Sequence, residues 1–369
     1  MGLIQRVLTN LEERRQRIIN GEINCIPSPF NTFLNDFPGI EQGKYYCISA
    51  ASKGGKSQLC SYLFLYTPIL YSYNHPEQLR VQVFYFPLEE TPEKITMRFM
   101  CHLLYVLSGK KIRISPMRLQ SITKGEAVDK NILDLLNSIE YRSILDFYED
   151  HVHFISERNP TAAWKTISRY AQEAGTIHRK TVVIENKETG VKQEKEVFDY
   201  YEPKDKDEYV IIIWDHQSLT ELERGMSLKE CIDKLSEYFM VFRNHYNYIP
   251  VMIAQQNSET ISLDAFKANK IRPTLAGIAD SKNVGKDCSL MLGITNPFAF
   301  EVPEYLKYNI MKLRGYARFL EVVLNREGES NGVLPLYFDG ATNFFAPLPP
   351  ANDEANLRKI YNLIDSLSK

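Results

Sequence analysis

From Lys44 onward, apolar runs of five to seven residues alternate with longer stretches whose apolar positions recur at helical spacing. The runs predict strands over Tyr45–Ala50, Val81–Phe86, Val152–Ser156, Tyr209–Trp214, Pro250–Ala254, Ser289–Ile294, Leu306–Lys312, Arg318–Leu324 and Leu334–Phe338. The stretches between the early runs predict helices over Ser57–Tyr66, Thr91–Leu107, Thr161–Ala174 and Ser227–Tyr246. This order predicts an α/β fold with a largely parallel central sheet covered on both faces. The late runs follow one another closely, which predicts antiparallel strands added at one edge.

Residues 3–20 predict an exposed amphipathic helix ended by Asn20-Gly21, with Leu3, Val7, Leu8, Leu11, Ile18 and Ile19 scattered among charges. Either it packs on its own domain or it is a linker helix that docks on a neighbouring subunit. Two segments have the composition of insertions. Residues 108–150 are helical and charged, and residues 178–205 alternate apolar and polar positions around Thr189-Gly190, which predicts a protruding hairpin. After the Pro-rich FAPLPPANDE, residues 353–369 predict a short helix with Leu357, Ile360, Ile364 and Leu367 on one face. It caps the core or offers a tail to a partner. The expected organisation is a linker helix over 1–24, one ATP-binding domain over 25–346 and a linker with a terminal helix over 347–369.

Composition adds boundaries. Hydrophobic residues are 44% and charged residues 24% of the chain, ordinary for a soluble globular protein. A net charge of -2 excludes a broadly basic coat but leaves room for a local basic channel. The six cysteines are scattered, with no C-x-x-C pair, and read as buried free thiols in a reducing compartment. No run of about 18 apolar residues occurs, so the expectation is a soluble, cytoplasmic protein.

The segment YYCISAASKGGKSQL carries the strongest chemistry. An apolar strand enters a loop of small residues, Ala50, Ala51, Ser52, Lys53, Gly54 and Gly55, and a helix opens with Lys56, Ser57 and Gln58. This is the phosphate-binding P-loop pattern, with alanine in place of its first glycine. Small residues let backbone N–H groups close around phosphate oxygens, and the helix start adds its positive dipole end. Lys56 supplies a point charge for ATP phosphates, and the Ser57 hydroxyl suits Mg²⁺. In YVIIIWDHQSL, Asp215 ends a buried strand, where a P-loop protein places the carboxylate that helps to hold Mg²⁺. In VFYFPLEETPEK, Glu89 and Glu90 end another strand, and either carboxylate could orient the attacking water. Acidic residues are also favoured there simply by the dipole of the following helix. Gln255 follows a further strand and could hydrogen-bond the γ-phosphate.

In this order the elements resemble the C-terminal ATPase domain of DnaB-type replicative helicases, within the RecA-like hexameric ATPases. The resemblance covers about residues 20–346 outside the insertions. That family has alanine at the start of its P-loop, as at Ala50. Phe86-Pro87-Leu88-Glu89 is similar to its Phe-Ser-Leu-Glu motif, which implies Glu89 rather than Glu90 as the water-activating carboxylate. Asp215-His216-Gln217-Ser218 stands for its Asp-Tyr-Leu-Gln, and Gln255 for the glutamine of its Ser-Gln element. Asp280, Ser281, Val284 and Asp287 match a further acidic stretch, although Gly285 replaces a glutamate. Lys312-x-Arg314 matches the pair that reaches into the neighbouring subunit's nucleotide, and Phe338-Asp339-Gly340 matches the closing Phe-Asp-Gly.

The resemblance implies an ATP- and Mg²⁺-dependent DNA helicase that forms a ring, expected to be a hexamer, around single-stranded DNA. It implies two pore loops, Ser218–Met226 with Arg224, and Asn257–Ala276 with Lys267, Lys270 and Arg272. The family also carries an N-terminal collar that meets primase. Only about 20 residues precede the ATPase segment here, so a collarless ring of phage or mobile-element type is expected. A loader or replisome partner would meet the C-terminal tail or the hairpin. The alternatives are a RecA- or clock-type ATPase, or an assembly protein that coats DNA and uses nucleotide only as glue.

Overall fold

The computed structural model describes residues 2–122, 124–185, 192–257, 271–330 and 332–367. Among them, nine strands form one sheet. They are β1 (Tyr46–Ala50), β2 (Arg80–Pro87), β3 (Val152–Phe154), β4 (Glu208–Asp215), β5 (Ile249–Gln255), β6 (Leu290–Thr295), β7 (Ala317–Asn325), β8 (Val333–Asp339) and β9 (Phe344–Pro347). Their spatial order is β9-β8-β7-β6-β1-β5-β4-β2-β3. From β6 to β3 every neighbouring pair is parallel, and β7, β8 and β9 add antiparallel strands at one edge. The mostly parallel sheet with antiparallel edge strands is therefore as expected from the spacing of the apolar runs.

The period of two along each strand sorts its side chains between two cores. On β4, Ile211 and Ile213 join Ile48, Phe64 and Phe99 on one face. Val210, Ile212 and Trp214 face the other way, against Leu235, Phe239 and Phe242 of the helix Leu228–Tyr246. That helix starts in a capping box, in which Ser227 and Glu230 satisfy each other's backbone N–H groups. Five of the six cysteines are buried, and burial pushes the Cys47, Cys60, Cys101 and Cys288 thiols up, so they act as packing groups.

The amino-terminal helix α1 (Leu3–Ile19) leaves Ile4, Val7, Leu8 and Leu11 exposed, while Arg17 donates to Asp207 at 2.7 Å. Residues 175–185 and 192–203 pair as an antiparallel hairpin, and the Thr189-Gly190 turn lies outside the described residues. One strand expectation is corrected. Leu306–Lys312 is not a strand, because Leu306 and Lys307 both take left-handed backbone at φ 47° and 68°. They form the turn of a minimal hairpin that pairs Tyr305 with Tyr308. The chain then enters the short helix α2 (Ile310–Leu313), where the Asn309 side chain accepts from the Lys312 N–H at 3.0 Å. The terminal helix α3 (Glu354–Leu367) buries Leu357 and Ile364 in a third cluster with Ile310, Leu313 and Phe319. Among the described residues, no helix is long and apolar enough to cross a membrane.

Candidate nucleotide site

The carboxyl ends of β1, β4, β2 and β5 meet at the P-loop. After Ala50 the chain turns back on itself, with the Gly54 N–H donating to the Ala51 carbonyl at 3.0 Å. Lys53 and Gly55 take left-handed backbone, at φ 60° and 101°. At Gly54 an added Cβ would lie 2.7 Å from the Ala50 Cβ and 2.9 Å from the Ala51 carbonyl oxygen, so only glycine fits. Helix begins at Lys56 and runs through a π-helical segment, Ser61–Tyr66, to Asn74. The π-helical segment ends just before Pro68, whose missing N–H and bulky ring disturb the regular i→i−4 ladder. Asn296 Nδ2 donates to the Lys53 carbonyl at 3.3 Å and Asn343 Nδ2 to the Gln58 carbonyl at 3.1 Å, which pins both ends of the loop.

Ser57 and Asp215 converge from this loop and β4. The Ser57 hydroxyl donates to Asp215 Oδ1 at 3.0 Å, and the Tyr85 hydroxyl donates to Oδ2 at 2.9 Å. Asp215 is 3% exposed, and burial pushes its carboxyl up to about 6 despite both hydrogen bonds. A divalent cation beside it would reverse that balance in favour of the carboxylate. Two hard oxygen donors fit Mg²⁺, which completes its octahedron with waters and phosphate oxygens. Among the described residues, no cluster of three or more His, Cys, Asp or Glu offers a caged metal site.

Glu89 and Glu90 are separated by their partners. Glu90 pairs through both carboxylate oxygens with the guanidinium of Arg98 on the helix Pro92–Leu107. Glu89 is half exposed, in a cleft shared with Ser52, Lys53, Lys56 and Ser57. Its Oε2 lies 3.8 Å from His216 Nε2. Burial, reinforced by the Lys56 charge, holds His216 below the ordinary histidine range. The Leu88 N–H donates to the Asp215 carbonyl at 2.9 Å, fixing the ends of β2 and β4 side by side. The Asp215–His216 peptide is cis.

Gln255 ends β5 opposite Ala50 in the parallel register and is half-buried. Its neighbour Gln256 is buried, with Nε2 donating to Ser49 Oγ at 2.8 Å and to the Thr274 carbonyl at 3.0 Å. Gln217 Nε2 donates to the Ala279 carbonyl at 2.7 Å, and Ser218 pairs with Asp280. The segment after Asp215 is thereby tied to the one after β5. Further along, Ser281 pairs with Asp233, and Asp287 accepts from Ser236 Oγ at 2.7 Å.

Arg318 carries no sequence signal and sits against the P-loop. It is 6% exposed, its guanidinium lies 4.7 Å from the Phe338 ring centroid, and a Cβ on Gly55 would meet its Nε at 3.3 Å. Burial brings its pKa down to about 10. Asp339, next in the Phe-Asp-Gly element, is fully buried and accepts from Arg113 Nε at 2.6 Å and Nη2 at 2.9 Å. That element therefore anchors the first insertion. Lys312 and Arg314 stand apart from the residues lining the cleft, on α2 and the turn after it. Arg224 and Arg272 are exposed, whereas Lys267 and Lys270 lie outside the described residues.

No protein-family model matches the chain, and no curated protein matches its sequence. Solved structures do match its fold. A solved helicase ATPase domain aligns with a TM-score of 0.61 at 14% identity, covering 95% of this chain and all of that one. A DnaB-like replicative helicase, whose structure was described with its interactions with primase, aligns with a TM-score of 0.62 at 12% identity. That alignment covers 94% of this chain and 67% of the other. The fold of this chain is that of the RecA-like ATPase domain in DnaB-like replicative helicases.

Proposed function

We propose that this chain is an ATP-hydrolysing DNA helicase of replication, which assembles as a ring, a hexamer, and moves along single-stranded DNA. The observation that carries the reading is the contact of Ser57 with Asp215 at the foot of the P-loop, with Glu89 in the same cleft. The segments 1–24, 25–346 and 347–369 would serve as linker helix, ATPase domain and terminal extension. The setting would be the cytoplasm of a bacterial cell or phage-infected host.

Each residue then has a task. Ala50–Gln58 wraps the phosphates with backbone N–H groups, and Lys56 neutralises charge on the β- and γ-phosphates. Ser57 and Asp215 would hold Mg²⁺, which bridges β- and γ-oxygens and spreads the charge that develops on them. Glu89 orients the attacking water and accepts its proton. Gln255 reports the γ-phosphate to the segment after β5. Arg314, with Lys312, reaches the nucleotide of the next subunit, so full turnover requires assembly. Arg224, Lys267, Lys270 and Arg272 hold the strand by its phosphates without reading sequence. A loader or other replisome protein would meet the terminal helix or the hairpin.

Steady-state ATP hydrolysis with and without single-stranded DNA tests this, alongside Glu89→Gln and Arg314→Ala. The expected result is DNA-stimulated turnover that both variants lose while ATP binding survives. Slow turnover indifferent to DNA would favour the assembly-protein reading instead.

A further inference from the structure

Two contacts join the terminal helix α3 to the element that carries Lys312 and Arg314. Asp365 Oδ1 accepts from Arg314 Nη2 at 2.8 Å, and Lys312 Nζ lies 5.5 Å from the centroid of the Tyr361 ring. Tyr361 and Asp365 are four residues apart on α3, so they share one helix face and address both cations together. The opposite anchor is apolar, because Leu357 and Ile364 are buried in the cluster that also holds Ile310 and Leu313 of α2. The helix is thus fixed to the same small body as the cations it touches.

The backbone at Arg314 explains why such support is needed. It has φ 52° and ψ -145°, a region that only glycine enters readily. A side chain held there persists only where its surroundings over-determine it. Before it, Asn309 caps α2, and after it Tyr316 stacks on Tyr337 with ring centroids 5.8 Å apart. Asp365 holds the guanidinium itself. The Arg314 side chain keeps 41% of its surface and that of Asp365 keeps 60%, so the pair lies open to an incoming group.

We infer that α3 is a positioning clamp for the trans-acting cations, in which Asp365 aims Arg314 and Tyr361 aims Lys312 at the neighbouring subunit's nucleotide. The inference rests on the proposed ring ATPase. Asp365 and Tyr361 are positioning residues, because neither touches the nucleotide. An exposed ion pair adds little to stability, so its value here is geometric. Small misplacement of a charge-stabilising group costs much in rate.

The test measures kcat and KM for DNA-stimulated ATP hydrolysis in the full-length chain, with thermal unfolding and assembly followed in parallel. Asp365→Ala is expected to lower kcat about tenfold with KM, Tm and assembly near parent values. Asp365→Asn, which keeps an acceptor oxygen, should recover part of that loss, and Tyr361→Leu should give a smaller fall in kcat. In an Arg314→Ala background, Asp365→Ala should be silent. An Asp365→Ala enzyme with parent kcat, or an equal loss in the Arg314→Ala background, overturns the clamp alone. Parent turnover in Arg314→Ala overturns the trans-acting reading beneath it.

Discussion

The Ser57 hydroxyl donates to Asp215 Oδ1 at 3.0 Å across 158 positions of sequence, and this contact joins the P-loop to the end of β4. Without metal, it leaves a carboxyl that is 3% exposed and raised to about 6. A carboxyl whose folded pKa is raised favours the fold most below the ordinary aspartate value, and that contribution is lost as pH rises through about 6. The gap amounts to at most about 3 kcal/mol. Asp215→Asn removes the ionisation. In EDTA at pH 8 it should therefore be more stable than the parent by about 1–3 kcal/mol, an advantage that fades toward pH 4. Mg²⁺ with nucleotide should reverse the order, stabilising the parent and not the variant. Denaturant unfolding at both pH values checks this, and a less stable Asn variant in EDTA at pH 8 would contradict it.

Glu89 and Glu90 should part company on mutation. Glu89→Gln leaves the fold untouched, since the carboxylate is half exposed, but should lower turnover by about 10²–10⁴. Glu90→Gln weakens the two-oxygen pair with the part-buried Arg98, so it should cost about 1–2 kcal/mol of stability. Its kcat should remain within a few-fold of the parent. Turnover and Tm measured together decide the assignment, and the reverse pattern would exchange the two roles.

The strands were legible because a sheet buried on both faces writes itself as unbroken apolar runs, as in Tyr209–Trp214. The P-loop was legible because glycine, lysine and serine are required at fixed places. Leu306–Lys312 misled because its alternation imitates a strand, while two consecutive left-handed residues were invisible in it. Phe344–Pro347 is short and contains proline, so it gave no strand signal and is held by pairing with Leu336–Asp339. Arg318 and Asp365 have meaning only through partners that tertiary packing brings to them.

Gly54→Ala tests the tightness of the loop. Its Cβ would meet backbone at 2.9 Å and a side chain at 2.7 Å, with no flexible group to yield. The loop must open, at a cost of about 1–3 kcal/mol. The shift also moves the N–H groups that face phosphate, so nucleotide affinity should fall more than stability. Isothermal titration with ATP and thermal unfolding give the two numbers, and an unchanged affinity would mean that the loop relaxes without penalty.

Arg314 offers a comparison free of side-chain chemistry. Both Arg314→Ala and Arg314→Gly lose the guanidinium and its contact with Asp365, so both should lose DNA-stimulated turnover alike. They differ only in a Cβ placed at φ 52° and ψ -145°. In ordinary backbone alanine is the more stabilising of the two, because glycine has more freedom to lose on folding. Here the order should invert, with the glycine variant more stable by about 1–2 kcal/mol. If the alanine variant unfolds at the higher denaturant concentration, the backbone at this position carries no strain. The clamp would then hold only a side chain and not a conformation.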